Sequence, residues 1–433
     1  MSKQENVSRR TFVQGAAVTA AASTFTIVEA KSVRGTTANS MVEIGWVGNG
    51  GQGSRDAYLL EKTGMAKIVA LGDYFQGQID KALLPLKEGQ QRFNPNNVDK
   101  KQIFVGIDAY KGVIGSKVDA VLLTTPPGFR PEHFKAAVAA KKHVYAEKPL
   151  AVDGPGCHIV LEAGEKAKME NLSVVVGLQR HYSKAYRAAK KMYDEGGMGQ
   201  AVMAHSAWDQ GKIWPDRRGK RADWKSQLDY EIQHWYFFKW LCGDHIVEQN
   251  IHNIDVINWF MGSAPVRATG ISGIYDKRDG LGDIHDHFAI TYEYANGVTS
   301  SNTCVQVDGV RGDVSETIRG TKGTFTTTAG KGGTGGVRIE AVPSRKDPNP
   351  APLYQYQGDD DKHYDQEAAT FVASVLGKGE GEDKYRNDTK YGVESTFTAI
   401  LGREAAYRKT SLSWTELWNE NKKITFKPEP KAD

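Results

Sequence analysis

With only three cysteines, Cys157, Cys242 and Cys304, the 433-residue chain has too few and too scattered thiols for a disulfide framework or a zinc cluster. They read as small buried side chains. An apolar run long enough to span a bilayer is also missing, as is any internal repeat. Excess charge is slight. Of the net +4, the first forty residues carry +3 through Lys3, Arg9, Arg10, Lys31 and Arg34 against Glu5 and Glu29, leaving +1 for the remainder. That near balance excludes a dedicated nucleic-acid or anionic-membrane binder. With 39% hydrophobic, 25% charged and 10% aromatic residues, the chain has the composition of a globular protein and enough length for two cored domains.

The amino terminus is a separate kind of segment. Ser8-Arg9-Arg10-Thr11-Phe12-Val13-Gln14 resembles a twin-arginine export signal, and Gly15 to Val28 is a weakly apolar stretch too short to span a membrane. Ala20-Ala21-Ala22 and Val28-Glu29-Ala30 are candidate cleavage sites. Export to the periplasm without a membrane anchor is the expectation, with residues 1–40 as leader and extended arm.

The stretch that organises the rest is Val42 to Gly53. An alternating strand runs into Gly48-Asn49-Gly50-Gly51-Gln52-Gly53, which has the G-x-G-x-x-G spacing, and Ser54 to Lys62 reads as a helix. Gly48 allows a tight turn, Gly50 lets the backbone approach a pyrophosphate, and Gly53 lets helix and strand pack closely, with phosphate at the positive helix end. A second strand, Ala66 to Gly72, ends at Asp73, twenty residues after Gly53, where a carboxylate would bind the adenosine ribose hydroxyls. That acid repels a 2′-phosphate, so NAD is favoured over NADP. Lys81 keeps dual use open.

Further along, Phe75 to Glu88 and Tyr110 to Ile114 read as helical. Gln102 to Val105 and Val118 to Thr125 read as strands, the latter stopped by Pro126-Pro127. Pro131 opens a helix to Ala140, and strand His143 to Ala146 leads into Glu147-Lys148-Pro149. This alternation predicts a parallel doubly wound sheet over 41–170, with ligands at the carboxyl ends of its strands. Gly48, Asp73, Thr125 and Lys148 all stand at such ends. From 171 to 433 the pattern changes to α+β. Val174 to Val176 is a strand and Ala185 to Glu195 a helix. Strands His287 to Tyr294 and Val298 to Val305 are joined at Asn296-Gly297 by a hairpin turn predicted to be type I′. Gly330 to Gly336 follows no buried strand and reads as a loop. Tyr364 to Leu376 and Tyr391 to Tyr407 read as amphipathic helices that pack back on the first domain.

The glycine turn, Thr124-Thr125-Pro126-Pro127, Lys142-His143-Val144 and Glu147-Lys148-Pro149 together resemble the Gfo/Idh/MocA oxidoreductases, the family of glucose-fructose oxidoreductase and inositol 2-dehydrogenase. The likeness continues through Gly177-Leu178-Gln179-Arg180, Gly243 to Asp255, and Gly402-Arg403-Glu404-Ala405-Ala406-Tyr407. It implies a Rossmann domain joined to an α+β domain with an open, largely antiparallel sheet that makes homo-oligomer contacts, in a dimer or tetramer. It also implies a small carbohydrate or polyol as substrate. In the family the histidine matching His252 is catalytic, the lysine matching Lys148 assists it, and the segment matching Gln179, Arg180 and His181 contacts cofactor or substrate. Glu248 stands where the family usually has aspartate.

The residues themselves point the same way. Removing hydride from a CH-OH requires a base for the hydroxyl proton. On a helix over Val247 to Phe260, Glu248, His252 and Asp255 share one face at spacings of four and three, placing carboxylates beside a neutral imidazole. His252 is therefore the predicted base. Lys148, held by Pro149, is the predicted electrostatic aid to the developing alkoxide. Glu147 is assigned to orientation or to the cofactor. The aromatic stretch 208 to 240, with Trp208, Trp214, Trp224, Trp235 and Trp240, is expected to be mostly core or interface, and Asp209, Arg217, Arg218, Asp223 and His234 lie beside it. No metal site is expected at His285-Asp286-His287, which lacks a third ligand. The first reading is an exported NAD-dependent sugar or polyol dehydrogenase that holds its dinucleotide tightly. Two alternatives stand beside it. One is glycoside cleavage by transient oxidation and elimination, with Tyr182, His181 or Glu248 as second acid/base; the other is a non-catalytic sensor.

Overall fold

The computed structural model describes residues 41–87, 90–213, 220–276, 281–327, 336–357 and 363–428. The leader, the glycine-rich residues 330–335, and Trp214, Arg217 and Arg218 lie outside them.

Apolar runs with one glycine turn between strand and helix build the first sheet. Its strands are β1 (Val42–Val47), β2 (Ala66–Asp73), β3 (Ile103–Val105), β4 (Ala120–Leu123), β5 (His143–Ala146) and β6 (Val174–Val176). All neighbouring pairs are parallel, in the order β3-β2-β1-β4-β5-β6. This is the doubly wound dinucleotide-binding order, whose switch point lies between β1 and β4. Every residue of β4 and β6 is buried, as expected of strands covered on both faces. The sheet continues past the boundary expected at residue 170, because β6 hydrogen-bonds alongside β5 with Val144 opposite Val174.

Several helices differ from expectation. The first begins at Gly51, not Ser54, and runs to Lys62, so the glycine turn itself forms the helix start. The helix expected over Phe75 to Glu88 stops at Ala82. A helix at Gly154–Met169 was not anticipated; Asp153 caps it by accepting the Gly156 N–H at 2.8 Å, and it makes the crossover from β5 to β6.

The second sheet comprises β7 (Ala201–Gln210), β8 (Arg267–Gly273), β9 (His287–Glu293), β10 (Thr299–Gln306), β11 (Asp313–Gly320), β12 (Gly323–Thr326), β13 (Arg338–Ala341), β14 (Tyr354–Gln355) and β15 (Leu412–Ser413). Their order is β14-β13-β12-β11-β7-β10-β9-β8-β15, antiparallel except for the β7/β10 pair. In β9 burial alternates strictly, with Phe288, Ile290 and Tyr292 inward. The β9–β10 turn is not type I′. Only Gly297 of its central residues has positive φ, at 83°, and its N–H bonds Tyr294 O at 3.0 Å. The turn is therefore a type I turn closed by a left-handed glycine.

Two long helices join the layers. In His363–Val375, Ala368, Phe371 and Val372 are buried with Ile44, Trp46 and Leu60 of the first sheet's core. Thr389–Arg408 packs on Gly154–Met169 and on β8. No helix among the described residues is long and apolar enough to cross a membrane.

Candidate active site

A cleft of about 1190 Å³ opens along the carboxyl ends of β1, β2, β4 and β5. At its floor is the glycine turn. Gly48 has φ of 91°, and a Cβ there would lie 2.6 Å from the Thr124 carbonyl carbon. At Gly53 a Cβ would meet Trp46 Nε1 at 2.6 Å. That indole donates to Gly48 O and Thr124 Oγ1, each at 2.9 Å, so a buried core side chain sets the turn against β4. Gly50 and Gly51 differ: a Cβ on either meets nothing within 4 Å. They leave an open cradle before the first N–H groups of a twelve-residue helix, which suits a pyrophosphate. Asp73, at the end of β2, lines the same cleft and accepts from Asn49 N–H at 2.6 Å and Phe75 N–H at 2.9 Å. Burial raises its pKa even against those donors. The donor set therefore fits a dinucleotide. Asn49 does not line the cleft: its N–H goes to Asp73, and its side chain is buried and faces Trp46 O at 3.4 Å. Gln52 lines the cleft and bridges Asp56 Oδ1 at 2.9 Å to Glu147 Oε1 at 3.3 Å. Thr125 and Pro126 line it too, next to Arg130, whose buried guanidinium binds the carbonyls of Thr125 and Pro149. Burial lowers the Arg130 pKa to about 10, opposed by the charges of Glu248 and Glu147.

Lys148, Glu248 and His252 meet in this cleft. Lys148 Nζ donates to Glu248 O at 2.7 Å and lies 3.2 Å from Glu248 Oε1. Burial raises the Glu248 pKa, opposed by the Lys148 and Arg130 charges. His252 is 6% exposed, its ring stacked 5.6 Å from Trp208, and its Nδ1 has no hydrogen-bond partner among the described residues. Burial, then the charges of Lys148, Arg180 and His363, hold its pKa well below the usual imidazole value.

The continuous helix expected over Val247 to Phe260 is broken. One helical turn ends at Glu248, a second helix starts at Ile251, and between them Asn250 Nδ2 donates to Asn302 Oδ1 and Thr303 O, each at 2.9 Å. Those bonds to β10 interrupt the helix and with it the shared face. Glu248 and His252 both reach the cleft, but Asp255 turns inward, accepting from Ser395 Oγ at 2.8 Å and lying 2.9 Å from His181 Nε2. Neither Asp255 nor His181 lines the cleft; the His181 ring is stacked on Trp259 and on Tyr391, each at 4.2 Å. Gln179 and Arg180 do line it. Gln179 Nε2 donates to Tyr364 OH at 2.9 Å, and the Arg180 guanidinium is bound to the buried Glu316. Tyr182 is buried against Asp388 and away from the cleft lining, so of the three groups named for an elimination only Glu248 reaches the site.

Some lining groups were not foreseen. His363 and Tyr364, at the start of the helix His363–Val375, face the cleft, as does Arg55, whose guanidinium lies 3.6 Å over the Tyr364 ring. No local motif marks His363; it reaches the site only because its helix packs on Gly51–Lys62. Of the aromatic stretch, Trp208 and Trp235 line the cleft, whereas Tyr236 and Phe237 form a small core with Cys242. His285 bonds Ser272 Oγ at 2.7 Å and His287 bonds Asp286 at 2.7 Å; no metal-holding group of three or more His, Cys, Asp or Glu occurs among the described residues.

A six-stranded dinucleotide-binding sheet joined to a large, mostly antiparallel sheet defines a two-sheet oxidoreductase class. Residues 42–176 match the oxidoreductase family with NAD-binding Rossmann fold, and residues 186–326 match the GFO/IDH/MocA C-terminal domain. The chain belongs to the Gfo/Idh/MocA oxidoreductase family. It is 31% identical over 186 residues to inositol 2-dehydrogenase from Azotobacter vinelandii, covering 43% of this chain and 49% of that one. The chain thus spans about half the length of the curated relatives it matches. Two solved structures share the fold. Scyllo-inositol dehydrogenase from Lactobacillus casei, with NAD(H) and scyllo-inositol bound, has TM-score 0.61 and 19% identity, covering 86% of this chain and 99% of that one. Aldose-aldose oxidoreductase from Caulobacter crescentus has TM-score 0.65 and 14% identity, covering 86% and 99%.

Proposed function

We propose that the protein is an NAD-dependent dehydrogenase acting on a CH-OH of a polyol or sugar. The observation that carries this reading is the meeting of Lys148, Glu248 and His252 in the cleft that also contains the glycine turn and Asp73. The relatives named for inositol oxidation support the substrate class. A nicotinamide dinucleotide supplies the hydride acceptor, and Gly48, Gly50, Gly51, Gly53 and Asp73 would hold it. Asp73 favours the free ribose diol, hence NAD over NADP.

His252, kept neutral by its surroundings, takes the hydroxyl proton. Two of the Lys148 ammonium donors are directed at Glu248, and the third remains for the substrate oxygen as it gains alkoxide character. Glu248 positions that ammonium. A contact between two residues that line the cleft, Gln179 Nε2 to Tyr364 OH at 2.9 Å, favours a slowly exchanging cofactor. Export by the Ser8–Gln14 signal and homo-oligomerisation through the second sheet belong to the same proposal. The test is anaerobic addition of inositols and aldoses to purified protein while reduced nicotinamide is followed optically, in wild type and His252→Gln. Reduction by a polyol that drops about 100-fold or more in the variant, with NAD still bound, is expected. Turnover surviving in His252→Gln removes the base assignment.

A further inference from the structure

Part of the cleft wall is apolar, and the reaction above leaves it unused. Trp208 and Val314, both half-buried, line the cleft together with His252. They stand opposite one another on β7 and β11, so their side chains leave the sheet on the same face. Further along that face the opposed pair Ala204 and Ile318 is buried, whereas at Trp208 and Val314 the face opens to the cleft. The segment that carries His252 is pinned to the sheet on both sides of the indole. Asn253 Nδ2 donates to Ala207 O at 2.9 Å and Ser315 O at 3.1 Å, the neighbours of Trp208 and Val314. Asn250 Nδ2 donates to Thr303 O, next to Cys304, which stands opposite Trp208 on β10. Indole and imidazole are thereby held with ring centroids 5.6 Å apart and planes 28° from parallel. At a stacking separation of about 3.6 Å, that distance requires a sideways offset of about 4 Å, so the imidazole covers only one side of the indole. Among the described residues no second ring stacks on Trp208.

We propose that Trp208, with Val314 beside it, is the platform on which the C–H face of a ring-shaped substrate lies. It is then a specificity-determining residue that selects cyclic polyols and pyranoses with equatorial hydroxyls over open-chain polyols. The inference rests on the dehydrogenase reading and names the shape of the substrate for that same site. A six-membered ring whose hydroxyls are all equatorial carries only axial hydrogens on its two faces, so each face is apolar. Laid on the uncovered part of the indole, such a ring shares a layer with the imidazole, and an equatorial hydroxyl on its rim points to the edge of His252. An axial hydroxyl on the stacked face stands between ring and indole and loses its bonds to water without gaining a partner. An open chain must be frozen into one conformer to offer the same contact, which costs rotational entropy at each bond.

The experiment measures scyllo-inositol, methyl β-D-glucopyranoside and glucitol on wild type, Trp208→Leu and Trp208→Phe, in steady-state kinetics and, separately, in calorimetric binding with NAD present. Wild type should favour the rings over glucitol by about tenfold or more in kcat/KM and in affinity. Trp208→Leu should raise KM and Kd for the rings about tenfold and leave those for glucitol within about twofold. Trp208→Phe, which keeps a flat face, should recover part of the ring affinity. If Trp208 acts only by holding His252, the loss falls on kcat for all three compounds, the acid limb moves and Kd stays unchanged. That pattern overturns the proposal, as does equal affinity for ring and chain in wild type. Ring binding without NAD reduction in wild type removes the dehydrogenase reading, while the binding comparison among the Trp208 variants still decides the platform. A panel that neither binds nor reduces overturns both.

Discussion

Lys148 and Glu248 are joined twice: the ammonium lies 2.7 Å from the Glu248 main-chain oxygen and 3.2 Å from its carboxylate, with the side chains 11% and 8% exposed. The contact ties the end of β5 to the break in the helical segment that carries His252. Removing one member leaves the other's charge in a poorly solvated place, whereas removing both does not. Lys148→Met should therefore destabilise the fold by about 3 kcal/mol and lower kcat by about 100-fold or more. The double variant Lys148→Met/Glu248→Gln should be more stable than Lys148→Met alone. Denaturant titration of all four species measures the coupling; strictly additive losses would mean that the two side chains do not support one another.

The pH dependence of turnover follows from His252. Burial first, then the Lys148, Arg180 and His363 charges, depress its pKa below 6.5, so the acid limb of kcat/KM should fall below that pH. Taking a cation away raises the pKa. In Lys148→Met the acid limb should thus move to higher pH while the plateau drops. A limb that stays put, or moves down, would separate the profile from His252.

Cofactor choice is placed on Asp73. In Asp73→Ser the anionic partner of the ribose diol is lost and the repulsion toward a 2′-phosphate disappears. NAD affinity should fall about tenfold, near 1.4 kcal/mol, while NADP affinity rises. Calorimetry with each dinucleotide reads the ratio, and an unchanged ratio removes Asp73 from discrimination.

Two glycines of the turn should respond differently to alanine. At Gly53 a Cβ meets Trp46 Nε1 at 2.6 Å and Gly48 O at 2.8 Å, so Gly53→Ala should lower thermal stability by about 1–3 kcal/mol. At Gly50 nothing stands within 4 Å. Gly50→Ala should leave stability nearly unchanged yet weaken dinucleotide binding, since the methyl occupies the open cradle. Thermal melts with and without NAD distinguish the two effects.

Asp244 gives a stability prediction with a definite sign. Buried, it accepts from Tyr407 OH, His285 N–H and His245 N–H, yet burial outweighs those donors and raises its pKa from 3.8 to about 6. A carboxyl with a raised folded-state pKa contributes stability fully below the unfolded value and loses it as pH rises through the folded one. Between pH 4 and 7 the stability of wild type relative to Asp244→Asn should drop by about 3 kcal/mol. A flat difference curve would contradict it.

Much of the first half of the fold was legible because its determinants are local. Strand β5 and strand β6 have the predicted limits, and Gly48, Asp73, Thr125 and Lys148 stand at strand ends because apolar runs end there. The helix Gly154–Met169 was not, since its buried face is assembled from small residues, Gly156, Cys157, Gly164 and Ala167, that carry little periodic contrast. Glu248 and His252 were found, but the geometry that joined them to Asp255 was not. A straight helix was read where Asn250 gives its side chain to β10.

By itself, the sequence determined the elements whose cause lies within a few residues: the glycine turn with its positive φ at Gly48, the acid at the end of β2, the lysine at the end of β5, and a histidine on a helix. Tertiary structure decided which of the polar groups share solvent. Packing sent His181 and Asp255 to one another, committed Arg180 to Glu316, and brought His363 from a distant helix into the cleft. The physical reason is that local pattern sets which face of an element is apolar, whereas the partner a polar group finds across an interface depends on how the elements dock.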